Sequence, residues 1–244
     1  MLIIIMQVIK LDATESTNQY LDELFSNIDL EDYSMVVSKY QSRGRGQFGN
    51  FWYSEKGKNL LISILKKNID ISIEDQFYIN IRVSLSIYMT MKFFKIPNLS
   101  IKWPNDILSC EKKIAGILIK FAIKQKLVRY AIIGLGINVN QMSFNNLPNA
   151  SSMKCILGNS IEIDKLRIEF IKYLKYYFKI QDKDELLMQY NNLLFRKEQL
   201  CNFKMNNGTF FKAKIICVQS DGKLQLRING TIKDFDLKSI KMIY

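Results

Sequence analysis

From residue 77 to residue 93 an apolar side chain stands at every fourth position: Phe77, Ile81, Leu85, Met89 and Phe93. At 3.6 residues per turn, this spacing keeps one stripe of a helix apolar for about five turns. The stripe carries no acidic or basic group, so the segment is predicted to be a buried helix that serves as scaffold. Apolar runs that read as strands lie before it, at residues 2–9, 35–40 and 60–65. Others follow, at 113–120 and 131–140.

The remaining elements are read in the same way. Ser16 followed by Gln19 reads as a capping box, and it opens a helix with Tyr20, Leu21, Leu24 and Phe25 on its apolar face. Two later helices begin near Asp164 and Asp184. The first carries Leu166, Phe170, Leu174 and Phe178, and the second Leu186, Leu187, Tyr190, Leu193 and Leu194. Neither holds a chemical constellation. From about Cys201 the pattern changes to short strands at 209–218, 223–228 and 231–237, with hairpin signals at Asp221-Gly222 and Asn229-Gly230. A two-residue turn at Asn229-Gly230 would set Leu226 opposite Lys233 on an apolar face, so a bulge or longer connection is expected there. A run of roughly 45 residues of this kind suggests a small barrel.

Between the strands at 35–40 and 60–65 lies a glycine-rich stretch, residues 41–52. Gly44, Gly46 and Gly49 are spaced G-x-G-x-x-G, with Arg43 and Arg45 among them. Glycine lets the backbone approach a ligand, and arginine adds forked donors, so the stretch reads as an anion cradle. A dinucleotide-binding turn needs a helix that starts within the glycines. Here a loop and then a strand follow, which excludes that reading. Two further strands carry glycine, at Ala115-Gly116 and at Gly134-Leu135-Gly136. Together they suggest one pocket floored by a sheet. Residues 99–106 run a strand into a stop at Pro104, followed by the turn residues Asn105-Asp106. Residues 145–152 form a polar loop and candidate flap.

Composition narrows the chemistry. The chain has 244 residues, 48% of them hydrophobic, enough for one large domain or two unequal ones. It contains no histidine, which excludes Ser-His-Asp and Cys-His catalysis and any imidazole base or ligand. A net charge of +12 suits an anionic partner. Cys110, Cys155, Cys201 and Cys217 show no metal or C-x-x-C spacing and read as reduced thiols of a cytoplasmic protein. Residues 2–6 are too short to span a membrane.

Four segments now stand in order: Ser16-Thr17-Asn18-Gln19; residues 41–52; Lys102-Trp103-Pro104-Asn105-Asp106 with Lys113-Ile114-Ala115-Gly116; and Gly134-Leu135-Gly136-Ile137-Asn138. In this order they resemble the biotin–protein ligases over nearly the whole chain. The resemblance implies an α+β fold, a mixed sheet flanked by helices of the class II synthetase-like kind, over residues 1–198. It implies a small SH3-like β-barrel over residues 199–244. The implied reaction joins biotin to ATP as biotinyl-5′-adenylate, then transfers biotin to a lysine of a biotin carboxyl carrier domain such as that of acetyl-CoA carboxylase.

By position, the resemblance makes Lys113 and Arg45 the catalytic cations. It places Ser16, Thr17, Asn18, Gln41, Gly44, Arg45, Gly46, Gln47, Lys113 and Gly116 around biotin. Gln47, Asn50, Trp52, Asn105, Asp106, Lys113 and Asn138 fall on the ATP side. No tightly bound prosthetic group is implied and no side-chain metal motif; Mg²⁺ comes with ATP, near Asp106. Only fifteen residues precede the Ser-Thr-Asn segment, so the resemblance is to the monofunctional form without a DNA-binding helix-turn-helix, as monomer or homodimer. Gln47 departs from the family loop, which often has a second arginine there, so one charge-assisted contact to the adenylate is absent. The alternatives are a lipoate or octanoyl ligase or transferase of the same superfamily, and a basic nucleic-acid-binding protein without catalysis.

Overall fold

A computed structural model describes residues 7–144 and 147–244. Residues 2–6 of the first predicted strand and 145–146 of the polar loop lie outside the described residues. The elements run β1 (Val8–Leu11), α1 (Thr17–Asn27), β2 (Met35–Ser38), β3 (Leu60–Lys66), β4 (Ile71–Ser72), α2 (Phe77–Phe93), β5 (Leu99–Lys102), β6 (Asp106–Ser109), β7 (Lys112–Lys124) and β8 (Leu127–Ile137). Then come α3 (Met153–Leu157), α4 (Ile163–Lys179), α5 (Lys183–Asn192), β9 (Leu200–Met205), β10 (Phe210–Val218), β11 (Leu224–Ile228), β12 (Thr231–Phe235) and β13 (Ile240–Ile243).

The first eight strands form one mixed sheet in the order β1-β2-β3-β8-β7-β6-β5, with β4 beside β8. Only the β1–β2 pair is parallel. In β3, Leu60, Ile62 and Ile64 join the large core that includes residues of α2, α4 and α5. The alternate residue Leu65 packs with Leu21, Leu30, Val36 and Ile132 under α1. This is the period-2 alternation of a strand covered on both faces. Helix α2 has the expected bounds, and it is buried on more than the predicted stripe. Its Arg82 is buried too, and donates to the carbonyls of Tyr177 at 3.3 Å and Ile180 at 3.0 Å. These are carbonyls at the C-terminal end of α4, where a cation also meets the negative end of the helix dipole.

The last five strands make a separate antiparallel sheet, ordered β12-β11-β10-β9-β13. Its inner residues, among them Phe203, Ile215, Leu224 and Leu226, continue the large core. Polar links fasten it, among them Asn149 Nδ2 donating to the carbonyl of Tyr244 at 3.0 Å. Asn191 exchanges hydrogen bonds with the backbone of Val218, and the indole of Trp103 donates to the carbonyl of Gly222 at 2.9 Å.

Two local expectations need correction. Ser16 is the N-cap of α1, but its side chain makes no capping bond, and the Gln19 amide reaches Glu23 instead. The capping box is therefore not formed. Asn229 and Gly230, at φ 48° and 86°, do make a two-residue turn, pairing Ile228 with Thr231 and Leu226 with Lys233. Lys233 is tolerated opposite a buried leucine because β12 is the edge strand, so its side chain reaches solvent. The bulge lies instead in β10, between Ile215 and Cys217.

Candidate active site

Helix α1 covers only part of its face of the sheet. Beyond its N-terminus the strands present Gly134 and Gly136 from β8 and Gly116 from β7, with Gly116 and Gly136 directly paired. Lacking side chains there, the sheet has a shallow trough. Residues 41–52 close over it as a small hairpin: Trp52 N–H bonds Gly44 O at 2.9 Å, Gly46 N–H bonds Asn50 O at 2.7 Å, and a 3-10 turn over Gln47–Gly49 forms the tip. The enclosed cavity, about 50 Å³, is lined by Ser16, Thr17, Asn18, Gln41, Arg45, Gly46, Gln47, Trp52, Asn105, Lys113 and Gly116, among others. Most of the residues assigned to biotin by resemblance therefore meet in one place. Gly44 stands just outside, in an adjoining cavity.

One end of the trough is a hydrogen-bonded wall. Gln41 Oε1 accepts from Thr17 N–H at 2.7 Å and lies 3.0 Å from Thr17 Oγ1. That fixes the amide so that its NH₂ faces away from Thr17 and makes no hydrogen bond among the described residues. Asn18 Nδ2 donates to Leu118 O at 3.0 Å, with its side chain against the bare backbone of Gly134. Behind both stands Ser63 of β3, fully buried, with Oγ 2.7 Å from Thr17 Oγ1 and 2.6 Å from Asn18 Oδ1. Sequence reasoning passed over Ser63. The signal was a lone hydroxyl in the run Leu60-Leu61-Ile62-Ser63-Ile64-Leu65, where a buried polar atom needs a partner.

The other end is cationic. Lys113 Nζ stands 2.6 Å from Asp106 Oδ1 and 5.4 Å from the centre of the Trp52 ring. Lys102 Nζ is 4.0 Å from the other oxygen of Asp106 and 4.7 Å from the centre of the Tyr244 ring. Two lysines thus share one carboxylate, leaving a net positive charge. Burial pushes the Lys102 pKa down; Asp106 works against that, and Lys113 and Lys241 add to it. Burial, helped by Asp106, raises the Tyr244 phenol to about 12, so it stays neutral. From sequence, Lys102 is named only as part of the motif, with no role, and Tyr244 not at all. Arg45 is exposed at the cavity edge and makes no ion pair among the described residues. Arg43, by contrast, turns away to Glu15 at 3.4 Å.

The residues expected on the ATP side divide into two groups. Asn105 and Asn138 are buried and spend their amide donors on backbone, on Ile117 O at 2.7 Å and Ser151 O at 2.9 Å. They shape the site by holding its walls. Gln47, Asn50, Trp52, Asp106 and Lys113, together with Asn105, line a larger cleft of about 640 Å³, between the Lys102–Asp106 turn and the terminal sheet. A third cavity, about 310 Å³, has largely apolar walls including Phe51, Phe144, Leu147 and Tyr244, and touches Lys113 and Asn138. Among the described residues no cluster of three acidic or cysteine side chains is placed to hold a metal. Asp106 faces two lysines.

The family model for the biotin/lipoate A/B protein ligases matches residues 11–138, more than half of the chain. The chain belongs to this family. It is 29% identical over 234 residues to the bifunctional ligase/repressor BirA of Bacillus subtilis, covering 91% of this chain and 70% of that protein. It is 26% identical over 144 residues to the biotin–[acetyl-CoA-carboxylase] ligase of Mycobacterium tuberculosis, covering 57% and 52%. Among solved structures it shares the fold of the Aquifex aeolicus biotin protein ligase in complex with biotin and ATP. The TM-score there is 0.81 at 20% identity, over 98% of this chain and 100% of that one. The matched family segment ends at Asn138 and so contains the polar wall, the loop, the Lys102–Asp106 turn and Lys113.

Proposed function

We propose that this family member is a biotin–protein ligase acting in two half-reactions. In the first, a carboxylate oxygen of biotin attacks the α-phosphorus of ATP; the α–β bridging bond breaks, pyrophosphate leaves, and biotinyl-5′-adenylate remains. In the second, the amine of a carrier-domain lysine attacks the acyl carbon, an amide forms, AMP leaves and a proton is lost. The observation that carries this reading is a single trough with a hydrogen-bonding wall at one end and an excess of positive charge at the other.

A cyclic urea offers one acceptor and two N–H donors. The wall answers with the Gln41 NH₂, the Ser16 hydroxyl and the oxygens of Thr17 and Asn18. The glycine floor lets an alkyl chain lie against the sheet. Lys113 and Arg45 then stand where two anions must be brought together, a step that demands fixed charge and positioning more than a proton carrier. The 640 Å³ cleft, with Lys102 and Lys113, suits the triphosphate, and the aromatic cavity suits a flat base. Mg²⁺ is assigned to the phosphates as part of the nucleotide substrate. The terminal strands are read as a small SH3-like barrel beyond a boundary near residue 198, and the chain as a cytoplasmic protein. No helix among the described residues is long and apolar enough to cross a membrane.

The test is transfer from labelled biotin and labelled lipoate, side by side, to a biotin carboxyl carrier domain with ATP and Mg²⁺. Incorporation of biotin with release of AMP supports the reading. Incorporation of lipoate alone moves the chain to the acyl branch of its family.

A further inference from the structure

Behind the polar wall, three oxygen–oxygen contacts share two hydroxyl protons. The contacts are Thr17 Oγ1 to Gln41 Oε1 at 3.0 Å, Ser63 Oγ to Thr17 Oγ1 at 2.7 Å, and Ser63 Oγ to Asn18 Oδ1 at 2.6 Å. The protons belong to Thr17 and Ser63. Asn18 faces Ser63 with its oxygen because its NH₂ is bound to Leu118 O. Gln41 Oε1 already receives the Thr17 N–H.

Three assignments are then possible, each leaving one contact without a proton. If Thr17 gives its proton to Gln41 and Ser63 gives its own to Asn18, the bare contact is Thr17 to Ser63, at 2.7 Å. If Thr17 gives its proton to Gln41 and Ser63 gives its own to Thr17, the 2.6 Å contact of Ser63 with Asn18 has no proton, and two oxygens face each other inside the normal hydrogen-bond distance. If Thr17 donates to Ser63 and Ser63 donates to Asn18, both short contacts are bonds, and only the longest lacks a proton. This last arrangement leaves bare only the 3.0 Å contact, whose acceptor, Gln41 Oε1, is already satisfied by the Thr17 N–H. The chain therefore runs from Thr17 through Ser63 and Asn18 to the Leu118 carbonyl.

We infer that Ser63 is a positioning residue that sets this direction, so that the Thr17 hydroxyl spends its proton inward and meets the ligand as an acceptor. This inference rests on the biotin reading above. Beside the Gln41 NH₂ and the Ser16 hydroxyl, an acceptor at Thr17 matches a ligand that presents N–H next to C=O. A dithiolane has no N–H to give. Ser63 touches no ligand atom in this account; it acts through Thr17, and so contributes to selecting a ureido ring over an acyl chain.

The test is a double-mutant cycle on biotin affinity, read by calorimetry on the full chain, with ATP affinity and the thermal melt as controls. Ser63→Ala should weaken biotin about tenfold and leave ATP affinity within about twofold, the size of one buried hydrogen bond. In a Thr17→Val background the same change should alter biotin affinity by less than about twofold, because the acceptor it orients is gone. Wild-type biotin affinity in Ser63→Ala, or the full tenfold loss repeated in Thr17→Val, overturns the inference. If Ser63→Ala does not fold, Ser63→Cys carries the same cycle with a weaker donor and a smaller loss. Failure of the wild-type chain to bind biotin removes the ligase reading and this inference with it. Binding by wild type with an additive cycle removes only the role of Ser63.

Discussion

The indole of Trp52 rests on the bare backbone of Gly136, and Gly116, paired with Gly136 across the sheet, would bring an added Cβ to 3.0 Å of the same ring. The indole Nε1 is buried there without a hydrogen-bond partner among the described residues. Only about 50 Å³ stays open under the loop, against the roughly 300–1,000 Å³ usual for ligand sites. A ligand in the trough must therefore lift Trp52, which would also give its N–H access to an acceptor. The chain has two tryptophans, so Trp103→Phe isolates Trp52. Biotin added to that variant should shift or quench its emission. An unchanged spectrum at saturating biotin contradicts displacement.

Lys102 supplies a pH prediction. Its pKa is lowered, chiefly by burial, so it loses its charge at a lower pH than an ordinary lysine. If it helps hold the triphosphate, the KM for ATP begins to rise at a pH below that at which an ordinary lysine loses its charge. Arginine keeps its charge throughout. Lys102→Arg should flatten that rise, and a variant profile as steep as that of wild type counts against Lys102.

Gln47 lines both the trough and the triphosphate cleft but carries no charge. Arg43 does not stand in for it, being paired outward with Glu15. Gln47→Arg should add a charge-assisted contact and slow release of the adenylate about tenfold. Stopped-flow dissociation of the adenylate measures this, and an unchanged off-rate would show that the position faces away from the phosphate.

Arg82 tests the scaffold. Its guanidinium bonds two carbonyls at the end of α4 and packs 5.9 Å from the centre of the Phe178 ring. Arg82→Ala strips those partners and opens a cavity, a loss of about 2–4 kcal/mol. For a chain of this size that lowers Tm by roughly 5–12 °C. A melt within about 2 °C of wild type would mean that water replaces the side chain freely.

Much of the scaffold was legible because its periods are strong. The α2 stripe, the strands around it and the two later helices follow directly from apolar spacing. Of the candidate site, the glycines of the trough could be read from residue type, whereas Lys113 was picked out only through the family motif in which it stands. What escaped depends on contacts distant in sequence. Ser63 meets Thr17 and Asn18 from about 45 positions away, and Tyr244 meets Lys102 only because the terminal sheet packs against the Lys102–Asp106 turn. The turn at Asn229-Gly230 was misjudged because the exposure of β12 depends on its place at the sheet edge, which local alternation does not encode.

The most direct measurement of the central claim is biotin-dependent exchange of labelled pyrophosphate into ATP, with Mg²⁺ and no carrier protein. It isolates formation of the adenylate from its transfer. Wild type should exchange label only when biotin is present, and Lys113→Ala should lose about 10²–10³-fold of that rate, the scale of removing one group that stabilises developing charge. Absence of biotin-dependent exchange in the wild-type chain, or full exchange in Lys113→Ala, would contradict the account.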